Sequence, residues 1–319
     1  MLEPAADWIV GGCMNAILFH NPTAGDGNHS RDRLLPLLRD GGLSATYCST
    51  KGKHFPEMLR ERAELFVVAG GDGTVGKVLR KMPDRSIPVA ILPLGTANNI
   101  AHSLGVAGKE PIDTISGLQT ARKQRFDIGM ARGPWGHQPF VEAVGLGSLA
   151  KSMMRMESGE SAKTESGDEL GLAREKFRKV LGEAKPIRFD ISVDGRTFDA
   201  ELLLIEVLNV TYAGPRLALA PQGGLGDGLF DIITIGPDQR ANVLDWLGAP
   251  EPMGPPPVTR QQGAKIRLTW EDPPPLRLDD DWPSGAKRHD GITVQFEGDP
   301  VTILVPERPG DKPGRSKGA

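Results

Sequence analysis

Short apolar runs separated by glycine, proline and polar positions fill the first 125 residues. Ala16–His20 is such a run, closed by Asn21-Pro22. Ser44–Cys48, Phe66–Ala69 and Ile87–Leu92 are others. Apolar, β-forming segments of this length between turn signals predict buried strands. Between them lie helical spacings. Leu34, Leu35, Leu37 and Leu38 follow Ser30 and stop at Gly41-Gly42; Val75, Val78 and Leu79 follow Thr74; Ile100, Ala101 and Leu104 follow Thr96 and stop at Gly105. Ser30, Thr74 and Thr96 are the expected N-caps. Strand and helix in alternation predict a doubly wound, three-layer α/β domain over 1–125, with a largely parallel sheet. From Phe126 the texture changes to PFVEAV, IRFDISV, ELLLIEVLNV, LFDIITI, KIRLTW, ITVQFEG and VTILVP, with one helix near Leu170–Leu181. Many strands and few helices predict a β-sandwich-like domain over 126–304. The tail 305–319 is left free to return to the first domain. Lys151–Glu169 is polar and expected to be a mobile excursion. Ala249–Val258 and Pro273–Pro275 read as connectors, and Glu307–Ala319 as disordered.

Composition narrows the class. The chain has 319 residues, 39% hydrophobic and 25% charged, a globular balance that suits two domains. A net charge of −3 gives no footprint for nucleic acid. Two cysteines, Cys13 and Cys48, make neither a disulfide framework nor a metal cluster. No apolar run approaches transmembrane length, and MLEPAADWIVGG lacks the features of a signal peptide. The expected location is the cytoplasm, with any membrane contact peripheral, at the inner face.

The stretch LFVVAGGDGTVGKVL, Leu65–Leu79, carries the candidate chemistry. Its glycines sit between a strand and a helix N-terminus, where bare N–H groups and the helix dipole favour a phosphate. Gly71, Gly73 and Gly76 spell the dinucleotide fingerprint, but the acidic residue expected about twenty positions on is missing. Gly71, Gly76 and Lys77 spell most of a P-loop, but Val78 stands where Ser or Thr must hold Mg²⁺. The third reading is the GGDGT mark of a kinase group. In a parallel sheet ligands bind beyond the carboxyl ends of the strands. NPTAGDGN, GGDGT and PLGTANN all fall there.

In order and spacing, N-P-x-x-G, GGDGT, ILPLGTANN and GDGLFD make the chain resemble the diacylglycerol kinase catalytic-domain family, in particular its soluble bacterial lipid kinases. Sphingosine kinases and NAD kinases are relatives of that group. The resemblance runs from Asn21 to about Leu304. It implies ATP binding by Asn21, Pro22, Thr23, Ala24 and Gly25, by Thr50, by Gly70, Gly71, Asp72, Gly73, Thr74, Val75 and Gly76, and by Gly95, Thr96 and Asn98. It also implies a structural Mg²⁺ site at Asp227, with backbone oxygens of Gly224 and Leu229; carbonyl plus carboxylate suits a hard cation. The family's general base belongs to a D-G-E motif. LRLDDDW occupies its place, so Asp281 takes the base position behind Asp279 and Asp280. Asp72, beside phosphates, must hold Mg²⁺, accept hydrogen bonds or point away.

Four departures mark the cleft: Asp280 for glycine, Asp281 for glutamate, Gly76-Lys77 for a polar pair, and Asn99 for aspartate. Lys77 is either a phosphate contact or a solvated lysine. The implied function is an ATP-dependent lipid kinase that phosphorylates a hydroxyl of a diacylglycerol- or sphingosine-like acceptor. The acceptor pocket is expected near Val141–Leu149 and Leu202–Val210. A NAD kinase-like enzyme and a non-catalytic nucleotide- or lipid-binding module stay open as alternatives, as does a homodimer.

Overall fold

A computed structural model of the chain describes residues 13–25, 28–158, 168–249 and 254–306. The first part runs β1 (Met14–His20), α1 (Arg31–Asp40), β2 (Leu43–Ser49), α2 (Phe55–Met58), β3 (Leu65–Gly70), α3 (Asp72–Lys81), β4 (Val89–Pro93), α4 (Asn99–Leu104), α5 (Pro111–Ser116) and β5 (Arg122–Phe126). The second runs β6 (Gly129–Gly133), β7 (Gly136–Phe140), β8 (Ala143–Gly147), α6 (Ser148–Glu157), α7 (Glu169–Glu183), β9 (Ile187–Val193), β10 (Arg196–Leu202), β11 (Leu204–Leu208), β12 (Phe230–Ile235), α8 (Arg240–Gly248), β13 (Thr259–Gly263), β14 (Lys265–Trp270), β15 (Leu276–Leu278), β16 (Gly291–Phe296) and β17 (Val301–Val305).

Strand periodicity sorts the first sheet's residues between two helical layers. Ile17, Phe19, Phe66, Val68 and Ile91 face Val75, Val78 and Leu79 of α3 and Ile100 and Leu104 of α4. Leu18, Leu65, Val67, Ala90 and Leu92 face Leu34 and Leu38 of α1 and Ile115 of α5. Both faces are covered, which is why these strands read as continuous apolar runs rather than alternations. Among the described residues the order is β2-β1-β3-β4-β17-β5, parallel except for β5.

The second part is a β-sandwich of two antiparallel sheets, β10-β9-β14-β16-β6-β7 and β13-β12-β11-β8-β15. One core fills the space between them, with Phe189, Ile191, Ile266 and Leu268 from the first sheet and Val144, Leu146, Ile205 and Ile232 from the second. The outer face of the second sheet buries Leu204, Leu208, Ile233 and Ile235 against Leu149, Phe177, Leu181, Val243 and Leu247 of α6, α7 and α8.

Three expectations change. Among the described residues, 126–304 contain three α-helices rather than one: α6 enters the stretch expected to be a mobile excursion because Leu149 and Ser152 are buried, and α8 was hidden in RANVLDWLG by its polar turns. The rest of that excursion, 159–167, and the expected disorder at 307–319 lie outside the described residues. The boundaries at 125 and 304 fall within β5 and β17, which belong to one sheet. VTILVP was grouped with the sandwich strands, yet β17 inserts between β4 and β5, with Ile303 opposite both Val89 and Gln124. Its Val301 and Ile303 face one helical layer and Leu304 the other. Apolar residues on both faces suit a strand covered on both sides.

Ile303 is therefore a keystone between the chain's two passes through the sheet. Ile303→Ala is expected to cost about 2–5 kcal/mol, read as a fall in the urea midpoint at unchanged slope.

Candidate active site

The loops after β3 and β4 lie back to back. A Cβ on Gly71 would come 3.0 Å from the Gly95 Cα, and one on Gly95 would come 2.5 Å from the Gly71 Cα. Only glycine permits that approach. Asn98 locks the second loop: its Oδ1 accepts from the Gly95 N–H at 3.0 Å and its Nδ2 donates to the Gly95 carbonyl at 2.6 Å. Arg216 adds a clamp from the sandwich side, donating from Nε to the Ala97 carbonyl at 3.0 Å and from its terminal nitrogen to the Thr96 carbonyl. The expected caps differ as well. Gly71, not Thr74, is the N-cap of α3, and Asn98, not Thr96, that of α4, whose first N–H groups are met from across the junction. The Asp72 carboxylate accepts from Asn99 N–H at 2.8 Å and Ile100 N–H at 2.9 Å. Of the three roles open to Asp72, it accepts hydrogen bonds.

These loops form one wall of a cleft of about 830 Å³. Asn21, Thr23, Ala24, Gly25 and Thr50 line it from the β1 and β2 ends; Gly71, Gly73, Thr74, Gly95 and Thr96 line it from the glycine loops. Pro22, Gly70, Asp72, Val75, Gly76 and Asn98 do not line it. Val75 and Gly76 are buried, and the Asn98 amide is spent on Gly95. Lys51, Lys77, Leu94 and Glu169 line it too. The Lys77 ammonium donates to the Thr50 carbonyl at 2.5 Å and stands 4.7 Å from the Phe55 ring centre, so it is a cleft residue rather than a solvated one. Burial, then Lys81, lowers its pKa. Lys51 reaches the Thr23 hydroxyl at 2.5 Å. Glu169 accepts from the Thr96 hydroxyl at 3.0 Å; nothing in the sequence links residues so far apart. Two ammonium groups, the first N–H groups of a ten-residue helix and a glycine wall make a place for polyphosphate.

A knot of carboxylates lies beside Gly73. Leu278 and Asp281 pair across a two-residue turn, Asp279-Asp280, with Asp279 at φ 50°. The Asp279 carboxylate is buried and accepts from the N–H groups of Val141, Glu142 and Ala143, between 2.7 and 3.2 Å, and from Arg80 at 3.1 Å. Beneath it Arg277 donates to the Asp279 carbonyl at 3.1 Å and to buried Glu206 at 2.7 Å. Asp281, the expected base, is turned to Arg80 at 3.0 Å and Gln138 at 2.9 Å. Asp280 points the other way: a Cβ on Gly73 would lie 3.0 Å from its Oδ2. Glu142, which the sequence did not single out, is buried and accepts from the Asn99 Nδ2 at 3.2 Å. Burial, then Asp72, Asp280 and Asp279, raises its pKa well above normal. Asp72 is pushed up to about 6 by burial, with Asp280 and Asp279 adding to the shift.

The implied metal ligands do share one turn. Asp227 Oδ1 accepts from the Leu229 N–H at 3.0 Å, and its Oδ2 would lie 2.2 Å from a Cβ on Gly224. One carboxylate over main chain fits a weakly held hard cation in kind. Nearby Asp231 is engaged by Arg260 at 2.7 Å. Among the described residues no three His, Cys, Asp or Glu side chains gather as a metal cluster.

An apolar cavity of about 230 Å³ adjoins the cleft and shares Thr96 and Glu169 with it. Ala97, Met153, Met156, Leu170, Ala173, Gly214 and Pro215 form its other walls. The expected pocket segments, Val141–Leu149 and Leu202–Val210, are instead filled by their own buried side chains in the cores described above. The cavity opens one layer outward, between α6, α7 and the Gly214-Pro215 turn.

This fold, with a cationic, glycine-walled cleft beside a carboxylate turn, is that of a phosphotransferase family. Residues 15–131 match the model of the diacylglycerol kinase catalytic domain, and 176–283 that of the YegS C-terminal NAD kinase beta sandwich-like domain. The chain belongs to the diacylglycerol kinase catalytic-domain family and is a diacylglycerol kinase-like phosphotransferase. It is 26% identical to a diacylglycerol kinase of Bacillus subtilis over 241 residues, 73% of this chain and 76% of that one. It is 23% identical to a diacylglycerol kinase of Staphylococcus carnosus over 286 residues, 84% and 88% of the two chains. A diacylglycerol kinase structure from Bacillus anthracis matches the fold at a TM-score of 0.68 with 19% identity, covering 92% of this chain and 97% of that one.

The raised carboxylates give a pH signature. Folded Asp72 titrates near 6 rather than 3.8, so between these values the folded state holds a proton that the unfolded chain has released. Stability from this group is present below the lower value and falls as pH rises through the upper one. Glu142 acts in the same sense. Glu142→Gln removes one of the repelling charges, and its melting temperature is expected to fall less steeply than wild type from about pH 5 to 8.

Proposed function

We propose that the chain transfers the γ-phosphoryl group of ATP, taken as its Mg²⁺ complex, to a hydroxyl of a diacylglycerol- or sphingosine-like acceptor. The observation that carries this reading is the juxtaposition of a cationic, glycine-walled cleft with an apolar cavity across Thr96 and Glu169. A nucleotide phosphate suits the first and an acyl or alkyl chain the second. Phosphoryl transfer demands mainly positioning and charge neutralisation, which Lys51, Lys77 and the α3 N-terminus supply. A dinucleotide acceptor has no use for a cavity of methionine, leucine and proline. No helix among the described residues is long and apolar enough to cross a membrane. Met154, 41% exposed, shares α6 with Lys151 and Arg155 beside the cavity. An apolar and cationic helix face of this kind suits peripheral contact with an anionic lipid surface.

The deciding assay measures transfer of labelled phosphate from ATP to diacylglycerol and sphingosine in mixed micelles and to NAD, with and without Mg²⁺. A phosphorylated lipid is expected; transfer to NAD alone favours the NAD kinase-like alternative, and ATP binding without transfer favours the binding module. Met156→Asp is expected to raise the lipid KM about tenfold or more at unchanged ATP affinity, since it places a charge in an apolar site. Lys77→Met is expected to weaken ATP binding about tenfold while leaving the lipid KM alone. Gly71→Val is a poor probe of the loop, because its side chain would meet the Gly95 backbone before any ligand.

For the Mg²⁺ assigned to Asp227, Asp227→Ala is expected to abolish any rise in melting temperature on adding Mg²⁺ and to lower activity only indirectly. Identical melting of variant and wild type across Mg²⁺ concentrations removes the site from the account.

A further inference from the structure

Five carboxylates crowd the junction of the two domains, and four are already committed. Asp72 spends both oxygens on the first N–H groups of α4. Asp279 takes three backbone N–H groups and Arg80. Glu142 is sealed from solvent and holds the Asn99 amide. Asp281 is held by Arg80 and Gln138. The fifth, Asp280, is exposed and makes no hydrogen bond among the described residues. It stands at the apex of its turn, fixed by the Leu278–Asp281 pairing on either side.

Its direction is set as firmly as its freedom. Oδ2 lies against Gly73, a wall residue of the nucleotide cleft in the first turn of α3. The neighbouring Asp72, whose charge Asp280 repels, is tied in turn to the apolar cavity. Asn99, capped by Asp72, donates from its side chain to the carbonyl of Gly214 at 3.1 Å, and Gly214 lines that cavity. The Asp280 carboxylate therefore stands at Gly73, on the α3 side of the cleft.

We propose that Asp280, rather than Asp281, is the general base of the reaction, and that Arg80 holds Asp281 out of the chemistry. The inference rests on the lipid-kinase reading of the same cleft. In the step assigned to it, the acceptor hydroxyl gives its proton to the Asp280 carboxylate as its oxygen bonds to the γ-phosphorus. The bond from that phosphorus to the β–γ bridging oxygen breaks, and the bridging oxygen leaves with the electron pair on ADP. The products are the phosphorylated acceptor and ADP, and Asp280 then releases its proton to water. With no acceptor bound, a water molecule in the hydroxyl's place is activated in the same way. ATP hydrolysis in the absence of lipid thus reports on the same group.

The test measures kcat and KM with MgATP and diacylglycerol micelles, ATP hydrolysis without lipid, and ADP affinity by fluorescence titration. Wild type, Asp280→Asn, Asp280→Glu and Asp281→Asn are compared. Removal of a general base is expected to lower kcat of Asp280→Asn about a hundredfold to ten-thousandfold, in both reactions, with ADP affinity retained. Asp280→Glu recovers a measurable part of the rate, and Asp281→Asn costs at least about ten times less than Asp280→Asn. If Asp280→Asn turns over like wild type, if Asp281→Asn is the worse of the two, or if Asp280→Asn loses ADP affinity in step with kcat, the assignment is overturned and the kinase reading stands. If wild type moves phosphate to neither lipid nor water, both are overturned.

Discussion

The contact between the backbones of Gly71 and Gly95 sets the geometry of everything around it. Two strand-to-helix loops of a parallel sheet ordinarily open side by side, each with its own helix N-terminus. Here they touch, and Asp72 from one loop caps the helix that follows the other. One N-terminus, that of α4, is thereby neutralised by protein, and the other, that of α3, is left for a ligand. A single carboxylate, placed one residue after a glycine, decides which of the two helix N-termini stays open.

The same arrangement explains why so many acids gather without the domain coming apart. Three buried carboxylates have backbone N–H donors or a cation to offset their desolvation: α4 for Asp72, the 141–143 backbone and Arg80 for Asp279, and Arg277 for Glu206; Glu142 has the Asn99 amide alone and keeps its proton more tightly. The donors come from both domains, with Arg80 on α3 reaching Asp279 and Asp281 of the sandwich. The turn that carries the acids is thus registered against the helix whose N-terminus opens on the cleft. Positioning of this kind supplies much of what phosphoryl transfer needs.

The α/β order, the sandwich and the glycine loops were legible because each rests on local rules: apolar runs, caps, and glycine before a helix. The roles of individual side chains were less so. Asp72, Asn98 and Gly76 share a motif with true wall residues, and nothing in the string separates a residue facing the ligand from one holding the loop. Asp281 was chosen by its place in a motif, but direction in a two-residue turn depends on whether Arg80 is near, two hundred positions away in sequence. Glu142 and Glu169 carried no local signal; one is a buried acid between strands and the other opens a helix. Strand β17 was misgrouped because an apolar pentapeptide looks alike in a sandwich and in a parallel sheet, and only the cover on its second face tells them apart.

That strand also orders events in time. During synthesis the β1–β4 part of the first sheet leaves the ribosome with its β4 edge unpaired, and the partner for that edge is encoded at 301–305, after the whole sandwich. The α/β half is therefore the earlier made and the later finished. The sandwich, whose strands are contiguous between β6 and β16, can close first and then present β17 to the waiting edge. Until it does, the β4 edge presents bare N–H and C=O groups, the kind of template on which strands of other chains can pair.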